Sequence, residues 1–429
     1  MSLNKKILIL AYKFPPYEGV GARRWAKFAK YFAKEGYKVH VITANWGKNT
    51  NKSWSADVNH ENIIIKQLNS FFDRKYMPNL TGKLFFKAER ILAKIFCWTD
   101  EAYSSYVWNK STIIKYIKSE QIKLVVASGG PFSANYFGAI IKKKIPSIKL
   151  VQDFRDPWIT DYFFDHPNMS PNDRVYKKEV KMEAFSIANA DAIFSVTPGC
   201  MERLDQNINS YGLKDVNHIL MENGFDEDDR VSFPDDCFPS GFYDKTCVNI
   251  SHFGTVQFGR EKSFYQFLIQ NEEKLKAEKT HFCFHFFGSF HSETKKMIEN
   301  SELKEMVKFH SFIPPREVQK FMFFADMHLV LNDEIYYYAY GSKVYDALMH
   351  KKPILLLSKE EGLYKLVKDN RLGMVSNNSV LQNEQLSDRL IENKTKLKQG
   401  EFINGDYNFE KHSVSSITKR MINAFNFVK

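Results

Sequence analysis

Residues 6–43 read KILILAYKFPPYEGVGARRWAKFAKYFAKEGYKVHVIT. The opening run, residues 7–12, is apolar and short, and it stops at a Pro/Gly loop, residues 13–21, that neither a helix nor a strand can cross. Residues 22–34 then return apolar side chains at helical spacing, Gly36 supplies the stop, and residues 38–43 form a second apolar run. Strand, crossover helix and strand make a βαβ unit, which demands a parallel sheet.

Working outward, apolar runs at residues 63–68, 123–127, 149–154, 192–196 and 218–221 alternate with helical patterns and extend the sheet into a doubly wound domain. Residues 226–245 break the alternation with Asp-Glu-Asp-Asp, Pro234, Pro239 and Gly241, which reads as an exposed linker. A second alternation follows, with strands at 248–253, 282–287, 307–312, 327–331 and 353–357 and helices near 264–276, 292–300, 315–325 and 342–350. The fold class expected is therefore α/β, two Rossmann-like doubly wound domains facing across a cleft, since open sheets of this kind take ligands beyond the carboxyl ends of their strands. The expected division is an N-terminal domain at 1–225, a C-terminal domain at 226–405, and a last helix within 406–429, after a break at 400–406, that packs back on the first domain.

At 429 residues, with 44% apolar and 26% charged side chains, the chain has material for two cores and no composition of disorder. It holds no uninterrupted apolar run of membrane-spanning length, and its first strand is too short for a signal peptide, so a cytoplasmic place of action is expected. The five cysteines, Cys97, Cys200, Cys237, Cys247 and Cys283, are scattered with no Cys-x-x-Cys pair and read as reduced thiols. A net charge of +11 calls for anionic partners, among which phosphorylated small molecules, acidic lipid headgroups and nucleic acid all qualify. No helix-turn-helix, RNA-binding aromatic motif or zinc finger is present to favour nucleic acid.

Four constellations carry chemistry. Gly19-Val-Gly21 sits between strand and helix, where small residues let backbone N–H groups approach a phosphate or sugar oxygen. It is not a dinucleotide fingerprint, because the third glycine position is Arg24. The run from His252 to Lys262 leaves the first strand of the second domain through Gly254 and brings two cations, Arg260 and Lys262, that could neutralise a diphosphate. Gly341-Ser342-Lys343 opens a helix, so its dipole, free N–H groups and the lysine ammonium would converge on the same anion, with Asp346 one turn on to accept from ribose hydroxyls. Asp153-Phe-Arg155-Asp156 ends a strand; a carboxylate beside an arginine stays ionised, suited to binding sugar hydroxyls or taking an acceptor proton, with Asp156 preferred and Asp153 second. An Asp–Arg pair that only ties down the loop is the competing reading.

Taken in order, Phe14-Pro-Pro-Tyr-Glu-Gly-Val-Gly-Ala-Arg-Arg-Trp25, Ser128-Gly-Gly-Pro-Phe-Ser133, Asp153-Phe-Arg-Asp-Pro-Trp158, Glu222-Asn-Gly-Phe-Asp226 and Gly341-Ser-Lys-Val-Tyr-Asp346 resemble the GT-B glycosyltransferases of family 4, in particular bacterial members that build surface polysaccharides. The resemblance implies a retaining hexosyltransferase that uses a nucleoside diphosphate sugar and a glycan or lipid-linked acceptor, with no metal or other cofactor. It assigns Arg260 and Lys343 to the leaving diphosphate as catalytic residues; Asp156 joins them from the strand-end motif's own chemistry, where many relatives have a histidine that this motif lacks. Gly19, Gly21, Gly254, Lys262, Ile313, Glu334, Gly341, Ser342 and Asp346 go to the donor, and Arg23, Ser128, Asp153 and Arg155 to the acceptor side. Ile313 belongs to the turn at residues 311–315, whose backbone would read the nucleobase edge. Two departures stand out: the family has Pro at position 341 and a glutamate at 338, where this chain has Gly341 and Tyr338, so Glu334 or the tyrosines at 336–338 would have to substitute.

Residues 83–96 place Lys83, Lys87, Arg90 and Lys94 on one stripe and Leu84, Ile91, Leu92 and Ile95 on another. An ordinary helix of this kind packs its apolar stripe inward; one resting on an anionic leaflet, at the inner face of a membrane, would present it. Two alternatives to a transferase remain: a nucleotide-sugar epimerase on the same fold, and a non-catalytic protein that binds an anionic ligand.

Overall fold

The structure is a computed structural model that describes residues 5–17, 19–46, 54–69, 80–160, 162, 166–256, 259–332, 338–403 and 405–427. The chain divides into two units, Met1–Glu222 with Val414–Lys429, and Asn223–Ser413.

The first unit holds β1 (Lys6–Leu10), β2 (Lys38–Ala44), β3 (Ile63–Leu68), β4 (Leu124–Ser128), β5 (Lys149–Phe154), β6 (Ala192–Ser195) and β7 (His218–Leu220), all parallel in the order β3-β2-β1-β4-β5-β6-β7. Alternation along β1 shows why both faces need cover. Ile7 and Ile9 enter one core with Phe28 and Phe32 of the helix Val20–Lys34, while Leu8 and Leu10 enter the other with Ile113 and Phe137. The C-terminal helix Val414–Phe427 closes the first of these cores, where Phe425 stacks 5.8 Å from Phe32 and 6.0 Å from Phe194.

The second unit repeats the topology with β8 (Val248–Phe253), β9 (Phe282–Phe287), β10 (Val307–His310), β11 (Met327–Leu331), β12 (Ile354–Leu357) and β13 (Gly373–Ser376), parallel in the order β10-β9-β8-β11-β12-β13. Each sheet thus reverses strand order once, between β1 and β4 and between β8 and β11. Ligands of open α/β sheets bind at the carboxyl ends of those neighbours.

Several sequence expectations need correction. β13 was missed because its four residues begin with a glycine that cannot be anything larger: a Cβ at Gly373 would lie 1.9 Å from the Ile354 carbonyl oxygen. The helix expected near 264–276 is two, Arg260–Gln270 and Glu272–Ala277, parted at Asn271. Residues 226–245 are largely exposed, as a linker would be. They run with the second unit and are anchored by the buried Tyr243, whose hydroxyl lies 2.6 Å from Ser251 Oγ and donates to the Phe321 carbonyl. The division falls after Glu222 and Ser413 instead of 225 and 405, because the Phe225 N–H donates to the His412 carbonyl and stitches the outgoing and returning strands together within the second unit.

Candidate functional site

In the second unit, His252 is the penultimate residue of β8, at the reversal point. The ring is buried, and its Nδ1 lies 3.1 Å from the Leu329 carbonyl of β11. A carbonyl only accepts, so Nδ1 carries the hydrogen and Nε2 the lone pair. Burial drives the His252 pKa down to about 4; the Leu329 carbonyl opposes this, and the charges of Lys343 and Arg260 push it further down. The two cations stand at the starts of separate helices, one following β8 and the other following β11. Arg260 heads the helix Arg260–Gln270 behind Gly259, and Lys343 lies in the first turn of Ser342–Met349 behind Gly341.

The helix at Ser342 has no side chain capping its start and no acidic residue in its first turn, so its positive end is left for an external anion. Lys343 is 38% exposed and donates to Asp346 Oδ2 at 3.3 Å. Asp346 itself is 1% exposed. Its carboxylate is covered and engaged with Lys343. Gly254 and Gly288, both at positive φ, face each other at the ends of β8 and β9, where a Cβ on Gly288 would meet the Gly254 carbonyl oxygen at 2.6 Å.

Lys262 does not join Arg260. Residues two apart on a helix point about 200° from one another, and Lys262 is exposed, without a part among the charges acting on His252. Ile313 lies just past β10, partly buried against the cluster that includes Tyr243, Phe287 and Phe321, while the neighbouring Phe312 is 76% exposed. Tyr338 is buried, and Glu334 lies outside the described residues.

In the first unit, the residues singled out at the β1/β4 reversal are found together, but largely in one another's service. Asp153 is fully buried at the end of β5 and accepts from Arg24 Nη2 (2.9 Å), Arg24 Nε (3.3 Å), Trp25 Nε1 (2.8 Å) and Ser128 Oγ (2.8 Å). Arg24 also donates to the carbonyls of Met221 and Glu222, at the end of the unit's first segment. Asp153 and Ser128 are thus covered and hydrogen-bonded to one another. Arg155 is not the partner of Asp153. Its fork donates to the carbonyls of Gly129 (2.8 Å), Gly21 (2.6 Å) and Gly130 (2.8 Å), joining the loops after β1 and β4; burial lowers its pKa and the nearby carboxylates Asp156 and Asp153 oppose that. Arg155 thereby braces the glycine-containing turns.

Gly19 caps the helix Val20–Lys34, and a Cβ there would strike the Tyr17 ring at 2.4 Å. Arg23 lies with its guanidinium 5.5 Å from the Trp54 ring. Asp156 is exposed, the one carboxylate of its motif left facing solvent. Sequence reasoning missed Arg24 and His252 as organising residues. The adjacency Arg23-Arg24 does not say which of two side chains about 100° apart turns inward.

No protein-family description matches the chain, and no curated protein does. Solved structures do resemble it along nearly the whole length. Sucrose-phosphate synthase from Thermosynechococcus elongatus superposes with a TM-score of 0.66 at 11% identity, covering 99% of this chain and 98% of the other. Anabaena HepE, solved in complex with UDP and glucose, gives a TM-score of 0.64 at 14% identity, covering 98% and 99%. A putative UDP-N-acetylglucosamine 2-epimerase from Listeria monocytogenes gives 0.51 at 9% identity, covering 99% and 96%. With its two parallel sheets of the same winding, the chain has the GT-B fold, the architecture of these glycosyltransferase neighbours.

Proposed function

We propose that this protein transfers a hexosyl group from a nucleoside diphosphate sugar, held by the second unit, to a hydroxyl of a glycan or lipid-linked acceptor served by the first. The observation that carries the reading is that the helices bearing Arg260 and Lys343 at their starts follow β8 and β11, the two strands that meet at the strand-order reversal, and that the second helix starts without a side-chain cap. When the bond between the anomeric carbon and the diphosphate oxygen breaks, its electron pair leaves with the diphosphate. The added negative charge is met by the Lys343 ammonium, the Arg260 guanidinium and the helix N-terminus. Those cations take the part a divalent ion would otherwise play.

The incoming hydroxyl attacks the anomeric carbon, and its proton passes to the leaving phosphate on the same face, which retains configuration; Asp156 is proposed as the acceptor-side carboxylate. Membership of family 4 and work in surface polysaccharide assembly belong to this proposal, supported by the motif order across both units. An epimerase remains the second reading, since a putative epimerase shares the fold; it would consume the nucleotide sugar with no acceptor. Thermal-shift screening of nucleotide sugars, followed by product analysis with and without acceptor, separates the two. Stabilisation by no nucleotide sugar would defeat both. Lys343→Ala is expected to lower kcat/KM about 100-fold or more with the melting temperature unchanged, because the side chain is partly exposed.

A further inference from the structure

The helix Leu80–Ile95 is inverted relative to an ordinary surface helix. Its inner face is built from Gly82 and Glu89, both buried, with Phe85, Leu92 and Ala93 partly so. Glu89 is 8% exposed and accepts from Ser104 Oγ at 3.3 Å, on the next helix, Tyr103–Ser119. At 100° per residue, the opposite side carries two neighbouring stripes. Leu84, Ile91 and Ile95 form one and are 59%, 51% and 64% exposed; Lys83, Lys87, Arg90 and Lys94 form the other and are all exposed. Phe86, at 52%, stands beside Arg90, 5.9 Å from its guanidinium. Just past the helix, Phe96 is 61% exposed and stacks on Trp98. The only acid of the helix, Glu89, is the one turned inward.

Leaving this many branched and aromatic side chains in water is costly, and a soluble surface rarely groups them in one patch. We propose that this face is a docking surface for an anionic lipid bilayer, the apolar stripe entering the acyl boundary while the basic stripe meets phosphate headgroups. Charge decides the occupant. A second copy laid symmetrically on the same face would oppose one all-cationic row to another, whereas an anionic leaflet complements it. The placement fits the acceptor half of the function proposed above, because it would hold the first unit where a lipid-linked acceptor resides. It does not depend on the donor site.

The test is co-sedimentation of the full chain with phosphatidylcholine vesicles, with and without phosphatidylglycerol and in the absence of donor. The chain is expected to partition to the anionic vesicles, weaken with salt, and stay in solution with neutral ones. Two variants separate the terms: Ile91→Glu with Ile95→Glu, and Lys87→Glu with Lys94→Glu. Each pair should lower partitioning about tenfold or more, with unchanged circular dichroism and nucleotide-sugar stabilisation. Failure to bind anionic vesicles, wild-type binding retained by either double variant, or a dimer in solution that Ile91→Glu dissociates would overturn the proposal. Since nucleotide-sugar stabilisation is read separately, loss of vesicle binding leaves the transferase reading standing, and the reverse holds too.

Discussion

Replacing Arg24 by alanine is expected to unfold the first unit while leaving the second folded. The guanidinium is 4% exposed against an Asp153 carboxylate that is 0% exposed, so neither charge has water to fall back on. Removing the arginine strands the carboxylate with only Trp25 Nε1 and Ser128 Oγ as donors, and it also frees the carbonyls of Met221 and Glu222. Breaking a buried pair from one side costs about 3–5 kcal/mol, comparable to a large share of a domain's whole stability. Urea titration read by hydrogen exchange in peptides from each unit would check it. Arg24→Lys should recover only part, because one ammonium cannot reach the carboxylate and two carbonyls together. A loss under about 1 kcal/mol in Arg24→Ala would mean the pair is far less buried in solution than this structure has it.

Acid is expected to unfold the second unit first. Burial pushes His252, His310 and His350 down to about 4 and His285 and His328 to about 3, against an ordinary 6.5, and all five lie in that unit. Between pH 6.5 and about 4 the unfolded chain takes up protons that these folded rings refuse, so stability is full above pH 6.5 and falls as pH drops through that window. The three most covered rings, His252, His285 and His328, would each cost on the order of 3 kcal/mol. In the first unit the signs oppose one another. Burial raises Glu179 and Glu183 to about 7 from 4.5, which gives stability that is full below pH 4.5 and lost as pH rises through 7, while the lowered pKa values of His40 and His218 act the other way. Hydrogen exchange at about pH 7.5 and pH 5 should show protection lost from β8 to β13 ahead of β1 to β7. Equal loss in both sheets would contradict the assignment.

The fold was legible because its strands are nearly continuous apolar runs bounded by glycine and proline, from Lys6 onward through β12. What escaped was set by contacts remote in sequence. Gly373 opens a strand only because Ile354 lies against it, and Tyr243 turns an acidic, proline-interrupted stretch into part of the second core. The same holds for the site. Gly341, Ser342, Lys343 and Arg260 could be read from local pattern, since a glycine before a helix start and a cation in its first turn are local chemistry. Arg24 and Asp153 are 129 positions apart, and nothing short of their meeting distinguishes a buried pair from a cleft carboxylate. Lys262 follows Arg260 by two residues, and helical direction turns the two side chains apart.

Calorimetric titration of a nucleoside diphosphate into the wild type, Arg260→Ala, Lys343→Ala and the double variant tests the central claim most directly. If the two cations close on one diphosphate, each single change weakens binding about tenfold or more, and the double change costs less than the product of the two. Affinity unchanged in Lys343→Ala, or two losses that multiply without coupling, would place the diphosphate elsewhere and remove the donor site as described.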